Sequence, residues 1–137
     1  MRYLACPVGQ VMGSGLGRIL LVESHEDTLR MAERVLRTAG HDVRTARSRE
    51  EAGKLCGAEQ FDLLVGELSL RDGSGLDLMR ELAETCGIKG IAFTGRGQQE
   101  DIENARGAGF SVHLLKPVTG EVLLRAVGEV LEEIGAG

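Results

Sequence analysis

The chain has 137 residues, of which 42% are hydrophobic and 27% charged, and its formal net charge is −5. This composition is ordinary for one globular domain with its own core. Because the chain is acidic and only 3% aromatic, it lacks the basic stripe and the stacking platform that nucleic-acid binding requires. No segment approaches the roughly 20 apolar residues of a membrane span, so we expect neither a nucleic-acid nor a membrane partner.

The cysteines argue for a reducing environment. Cys6, Cys56 and Cys86 are scattered and odd in number, and no C-x-x-C pair or Cys/His cluster occurs. This pattern predicts neither a disulfide framework nor a zinc site, and it favours a cytoplasmic location. We expect Cys56 and Cys86 to pack as small apolar groups on helices.

Residues 1–17 are rich in glycine and show no periodicity. We predict a flexible N-terminal lead or linker here, followed by one domain over residues 18–135. The glycines of residues 13–17 resemble a dinucleotide-binding fingerprint. Such glycines should follow a strand and open a helix. Here they precede the first predicted strand, so the linker interpretation is favoured.

From residue 18 onwards, short apolar runs typical of buried strands alternate with apolar residues at helical spacing. The predicted strands are residues 18–22, 42–45, 61–65, 88–94 and 112–115. The predicted helices are residues 27–39, 48–56, 74–83, 98–107 and 122–134. Ser48 and Ser74 each begin a Ser-x-x-acid start signal for a helix. The fourth helix has a thin apolar face, and with Arg96 before it we predict a mobile element that faces a partner.

Five strand–helix units in alternation predict an α/β fold, a doubly wound parallel sheet with helices on both faces. In such folds the functional site lies at the carboxyl ends of the strands. The residues that fall there are Glu23, Ser24, Glu67, Thr94 and Lys116. Carboxylates with a divalent cation, and a lysine with a hydroxyl, can together hold a phosphoryl group. This set therefore indicates phosphoryl transfer to or from a carboxylate.

Four motifs resemble the receiver domain of two-component response regulators over about residues 18–134. They are ILLVES at 19–24, GELSLRDGSG at 66–75, IAFTG at 91–95 and HLLKPV at 113–118. The last two look most like receivers attached to hybrid histidine kinases. The resemblance implies a flavodoxin-like three-layer sandwich with five helices and a five-stranded sheet of order 2-1-3-4-5.

The resemblance also implies roles for individual residues. A phosphohistidine donor would pass its phosphoryl group to position 67, where Glu67 stands. Glu23 and Ser24 take the places of the two acids that help hold Mg²⁺, and Ser69 is a further metal candidate. Thr94 and Lys116 would contact the phosphoryl group.

His113, three residues before the lysine, would follow the rearrangement of the fourth helix and fifth strand. The partners implied are a histidine kinase or a phosphotransfer protein. A homodimer through the fourth helix, fifth strand and fifth helix is a further implied partner. The activity implied is at most self-phosphorylation and dephosphorylation.

Two positions depart from the family pattern. Receivers carry Asp at position 67 and an acid at position 24, where this chain has Glu67 and Ser24. The glutamate is longer by one methylene, and a misplacement of about 1 Å can cost about a hundredfold in rate. Ser24 removes a charge and weakens the Mg²⁺ site. The longer carboxylate could instead pair with Lys116 and partly mimic the phosphorylated state.

We therefore predict a degenerate receiver in phosphorelay signalling that acts through protein contacts, and we expect no output domain in this chain. One alternative is a working phosphoacceptor, and another is an engineered phosphomimic. A third is a flavodoxin-like binder of a small cofactor, although no glycine loop follows the first strand. Simpler interpretations also remain open for single residues. Ser24 would begin a capping box, Glu67 would be a surface acid, and His113 would be a partly buried ring.

Overall fold

The computed structural model describes residues 16–95 and 99–136. The helices are α1 Glu26–Thr38, α2 Arg49–Ala58, α3 Gly75–Cys86, α4 Gln99–Ala108 and α5 Gly120–Ala136. The strands are β1 Arg18–Val22, β2 Asp42–Ala46, β3 Leu63–Glu67, β4 Ser69–Leu70, β5 Gly73–Ser74, β6 Lys89–Thr94 and β7 Phe110–Leu115. None of the described helices is long and apolar enough to cross a membrane.

The main sheet has the order β2-β1-β3-β6-β7, and every pair in it is parallel. Because the short β4–β5 pair is a separate antiparallel sheet, this order is the predicted 2-1-3-4-5 arrangement. The predicted α/β fold with five helices is confirmed.

The helices cover the two faces of the sheet. On one face, α1 and α5 pack on strand residues such as Leu21, Val65 and Phe93. On the other, α2, α3 and α4 pack on residues such as Leu20 and Leu64. These side chains are at most 1% exposed, and each contributes about 1.5–3 kcal/mol by leaving water.

Both boundaries of β3 differ from the sequence prediction. β3 begins at Leu63 rather than residue 61, because the Asp62 carboxylate accepts a hydrogen bond from the Arg18 backbone N–H at 2.8 Å. β3 continues to Glu67, which pairs in register with Phe93 of β6. The acid of interest therefore belongs to the last ladder pair of a central strand.

The helix start signals have mixed outcomes. Ser48 and Ser74 cap α2 and α3 as predicted, each accepting from backbone N–H groups of the first turn. The capping interpretation of Ser24 is wrong. The N-cap of α1 is His25, which makes no side-chain capping bond.

The two described cysteines also differ from each other. Cys56 is a buried free thiol, and burial raises its pKa to about 12. Cys86, at the end of α3, is partly buried and disulfide-bonded. Cys86 packs against the core as predicted, but its disulfide was not predicted from the sequence.

Some predictions fall outside the described residues. These are the lead up to residue 15, including most of its glycine fingerprint, together with Arg96 and the predicted helix start at residue 98. The boundaries of the domain and the mobility of the fourth helix remain predictions.

Candidate functional site

The ends of four parallel strands meet at one edge of the sheet. Val22 pairs with Gly66, and Thr94 pairs with Leu115. Glu23 and Lys116 are the residues directly after Val22 and Leu115. The Lys116 backbone N–H also donates to the Thr94 carbonyl oxygen at 2.8 Å. This register brings the predicted acids, hydroxyl and lysine together.

Lys116 bridges the two glutamates. Its Nζ lies 2.8 Å from Glu23 Oε1 and 2.9 Å from Glu67 Oε1. The Glu23 side chain is fully buried, and those of Glu67 and Lys116 are 11% and 19% exposed. Removing one partner of such a buried ion pair leaves a charge without compensation. The three groups therefore form one electrostatic unit.

The remaining carboxylate oxygens also face donors. The Ser24 hydroxyl donates to Glu67 Oε2 at 2.8 Å, and the His25 backbone N–H donates to Glu23 Oε2 at 2.9 Å. The His25 ring lies at the mouth of the site, with Nδ1 3.5 Å from Glu23 Oε2 and 3.7 Å from Glu67 Oε1. Three of the four oxygens thus accept a hydrogen bond from the described residues, whereas Glu23 Oε1 contacts Lys116 as an ion pair that lacks hydrogen-bond geometry.

These contacts shift the pKa values of the charged groups. Burial alone would raise the pKa of Glu67, but hydrogen bonds from Lys116 and Ser24 outweigh it and hold that pKa below its ordinary range. Burial alone would lower the pKa of Lys116, but Glu23 and Glu67 raise it above its ordinary range. The pair therefore stays ionised at neutral pH.

Comparison with known proteins decides the family. The family model of the response regulator receiver domain matches residues 19–128. The chain belongs to this family.

Curated relatives and solved structures agree with this assignment. The receiver is 30% identical over 117 residues to the alginate biosynthesis transcriptional regulatory protein AlgB of Pseudomonas syringae pv. tomato, covering 85% of this chain and 26% of that protein. The chain thus spans about a quarter of the length of that relative.

Among solved structures, the CheY-like receiver domain protein from Methanospirillum hungatei is 28% identical with a TM-score of 0.82, and the match covers 88% of this chain and 98% of that one. A two-component response regulator from Clostridium difficile is 25% identical with a TM-score of 0.80, covering 84% and 95% of the two chains. Membership in this family favours signalling over the flavodoxin-like cofactor binder.

The receiver has donor atoms for a cation, but Lys116 stands among them. Atoms of Glu23, His25 and Glu67 lie within 4.8 Å of one another and could hold a metal ion. Mg²⁺ prefers oxygen ligands in near-ideal octahedral geometry. Here the ammonium of Lys116 already binds an oxygen of each carboxylate. As placed, the residues fit an ammonium better than Mg²⁺.

The other predicted site residues line neighbouring cavities. Thr94 is 7% exposed and lines a cavity that Ser69 also lines. His113 is not brought to the acids. It pairs in register with Ala92 and lines a small cavity with Arg106 of α4. Its Nε2 is buried without a hydrogen-bond partner among the described residues.

Two residues near the site were missed or underestimated from sequence. The sequence pattern places His25 only inside a capping box begun by Ser24. Asp72 has the pattern of a turn residue, yet its carboxylate accepts from the backbone N–H groups of Arg49 at 2.8 Å and Glu50 at 2.9 Å. These bonds lower the pKa of Asp72 and tie the β4–β5 hairpin to the start of α2. Nothing in the local sequence around either residue indicates these contacts.

Proposed function

We propose that this chain is a receiver module of two-component signalling with a degenerate phosphorylation site. The observation that supports this most directly is the Lys116 ammonium, bound to both Glu23 and Glu67 at 2.8 and 2.9 Å. Receivers use an acid at position 67 to accept a phosphoryl group. In this chain, that acid is instead held inside an ion-paired and hydrogen-bonded cluster.

Two physical arguments oppose phosphorylation of Glu67. Its Oε1 is bound by Lys116 and its Oε2 by Ser24, so neither oxygen is free to attack. The extra methylene also moves the carboxylate from the position of an aspartate, and transfer requires reacting atoms aligned at about 3–3.5 Å. Ser24 supplies no charge to a cation, so Mg²⁺ binding is weakened as well.

The cluster also suggests what Glu67 does instead. Its carboxylate lies where it neutralises the lysine that a phosphoryl group would otherwise contact. It thereby mimics the phosphorylated state in part, with one negative charge in place of roughly two. The module would then favour one conformer of a two-state element and act by binding partners.

The partners that fit are those of the family, a histidine kinase or a phosphotransfer protein. A homodimer through α4, β7 and α5 is part of the same proposal, as is attachment to a hybrid kinase. We propose no enzymatic activity for this degenerate site; the self-phosphorylation and dephosphorylation of the family would be the most it could show. A cytoplasmic location also remains a proposal, and free cysteines no longer support it because Cys86 is disulfide-bonded.

The test is phosphorylation by a small donor. The protein is incubated with Mg²⁺ and acetyl phosphate and its intact mass is measured. We expect no adduct of about 80 Da, the mass of one phosphoryl group. The control is the double variant Ser24→Asp and Glu67→Asp, which restores the family residues and should gain the adduct.

A stoichiometric adduct on Glu67 of the unmodified protein would show a working phosphoacceptor and overturn the degenerate assignment. If the double variant alone gains the adduct, the two departures from the family pattern account for the loss of activity.

A further inference from the structure

A cavity of about 350 Å³ lies beside the ionic cluster. Its walls are the β4–β5 hairpin, the start of α3, the end of β6 and one face of α4. The polar side chains that line it include Ser69, Ser74, Asp101 and Asn104, and leucines such as Leu68 and Leu76 complete the lining. This volume lies within the range of small-molecule sites, and the lining is more polar than apolar.

Asp101 is the lining residue with an unsatisfied hydrogen-bond acceptor. Its Oδ2 is buried and has no hydrogen-bond partner among residues 16–95 and 99–136. A buried polar atom without a partner costs free energy, because it loses its hydration without compensation. Among the side chains of the described residues that line the cavity, none is a lysine or an arginine. The described part of the chain therefore leaves this carboxylate oxygen open to a donor from a ligand.

The neighbours of Asp101 place hydrogen-bonding groups on opposite sides of the cavity. Asn104 lies one helical turn further along α4, so the two side chains share a face. Across the cavity, the Ser74 oxygen already accepts from the backbone N–H groups of Leu76 and Asp77 at 3.0 and 3.4 Å. Its hydroxyl hydrogen thus remains available to donate. One side of the cavity offers a carboxylate and an amide, and the other offers hydroxyls above leucines.

We propose that this cavity binds a small molecule with a cationic, N–H-rich head and a short apolar body. An amidinium, a guanidinium or a primary ammonium would donate to Asp101 in a charge-assisted hydrogen bond. The apolar body would lie against Leu68 and Leu76. A bare divalent cation fits less well, because Asp101 is the one carboxylate among the described lining residues and such ions need several oxygen ligands.

Such a ligand would span α4 and the β4–β5 hairpin. It would also contact the wall formed by Thr94, whose carbonyl accepts from the Lys116 backbone N–H. Binding would therefore hold α4 against the hairpin. This does not depend on whether Glu67 accepts a phosphoryl group, so the inference and the proposed function are tested separately.

The test uses benzamidinium as the cationic probe and benzamide as its neutral counterpart of similar shape. Each is titrated into the ¹⁵N-labelled full chain while amide chemical shifts are followed. We expect saturable shifts at Ser69, Ser74 and Asn104 with benzamidinium. We expect binding weaker by about tenfold or more with benzamide, because a charge-assisted hydrogen bond becomes a neutral one.

Two variants examine the role of Asp101. Asp101→Asn should weaken benzamidinium binding by about tenfold or more. Glu103→Gln removes the same charge from the same helix but lies outside the cavity lining, and it should leave the affinity unchanged. A variant spectrum that superimposes on that of the unmodified protein, apart from residues near the substitution, shows that the fold is intact.

A third variant tests the cavity independently if Asp101→Asn fails to fold. Asn104→Phe places a ring into the cavity and should abolish benzamidinium binding. The proposal is overturned if benzamidinium causes no saturable shifts at the cavity amides. It is equally overturned if Asp101→Asn or Asn104→Phe binds the probe as tightly as the unmodified chain.

Discussion

Replacing Lys116 with methionine tests the ion-paired cluster, because it removes the ammonium while retaining an apolar stem of similar length. The fully buried Glu23 and the Glu67 side chain, which is 11% exposed, would then face each other without a cation. Breaking a buried ion pair by removing one partner typically costs about 3–5 kcal/mol. We expect about 3 kcal/mol, the lower end of that range, because the Lys116 side chain is 19% exposed and water partly replaces it.

The assay is urea unfolding followed by circular dichroism, supported by thermal melts. A loss of about 3 kcal/mol corresponds to about 10 °C in Tm for a domain of this size. The matched control is Lys89→Met. The Lys89 side chain is 42% exposed and its ion pair with Glu133 spans 3.6 Å, so we expect a loss of at most about 1 kcal/mol.

The pH dependence gives a second, independent readout. In the unmodified protein the pKa of Glu67 is lowered from its ordinary value near 4.5. Its contribution to stability is thus present above pH 4.5 and is lost as the pH falls through the lowered pKa. Lys116, whose pKa is raised from 10.5, contributes fully below pH 10.5, and this contribution is lost as the pH rises through the raised value.

In Lys116→Met, the pH dependence of stability at acidic pH has the opposite sign. Two adjacent carboxylates without a cation raise the pKa of at least one of them. The variant should therefore become more stable as the pH falls from about 7 to about 5, because the folded state takes up a proton there. A loss below about 1 kcal/mol, together with a pH profile parallel to that of the unmodified protein, would refute the reasoning.

Three further predictions concern other parts of the chain. Gly75→Ala should destabilise by about 3 kcal/mol in urea unfolding, because its Cβ would lie 2.1 Å from the Glu67 carbonyl oxygen. The control Gly53→Ala, with nothing within 4 Å of the added Cβ, should instead stabilise by up to about 1 kcal/mol. Cys56, whose pKa is raised to about 12, should resist alkylation by iodoacetamide at pH 8 in native buffer and should react in urea. Mass spectrometry measures the extent of alkylation, and rapid alkylation of the native protein would contradict the burial of Cys56. Asp72→Ala should lower the free energy of unfolding at neutral pH, and this loss should shrink as the pH falls below the lowered pKa of Asp72. If the loss does not change with pH, the hydrogen bonds from the Asp72 carboxylate to the start of α2 are not the cause of the loss.

The sheet and its functional edge were predictable because they depend on patterns within single segments. A continuous apolar run such as that of β1 indicates a strand buried on both faces. Strand–helix alternation then leaves few possible topologies. The placement of Glu67 near Lys116 follows from that topology, since parallel strands end at the same edge. No contact between the two residues had to be known in advance.

The contacts that the sequence did not predict depend on partners distant in the chain. Ser24 has the local pattern of a helix cap, but the Glu67 carboxylate, 43 residues away, accepts its hydroxyl instead. Asp72 looks like a turn residue, yet it caps a helix whose first N–H group is 23 residues away. The cavity at Asp101 forms only when α4 packs beside the hairpin. No local pattern contains this information.

The central claim is that the Glu67 carboxylate fills the anion site and holds Lys116. It is tested most directly by an amide NMR titration with Mg²⁺ and then beryllofluoride, an analogue of the phosphoryl group. We predict no saturable shift at Thr94, His113 or Lys116 in the unmodified protein, and clear shifts in the variant carrying Ser24→Asp and Glu67→Asp. One-to-one saturable shifts at those amides in the unmodified protein would contradict the account.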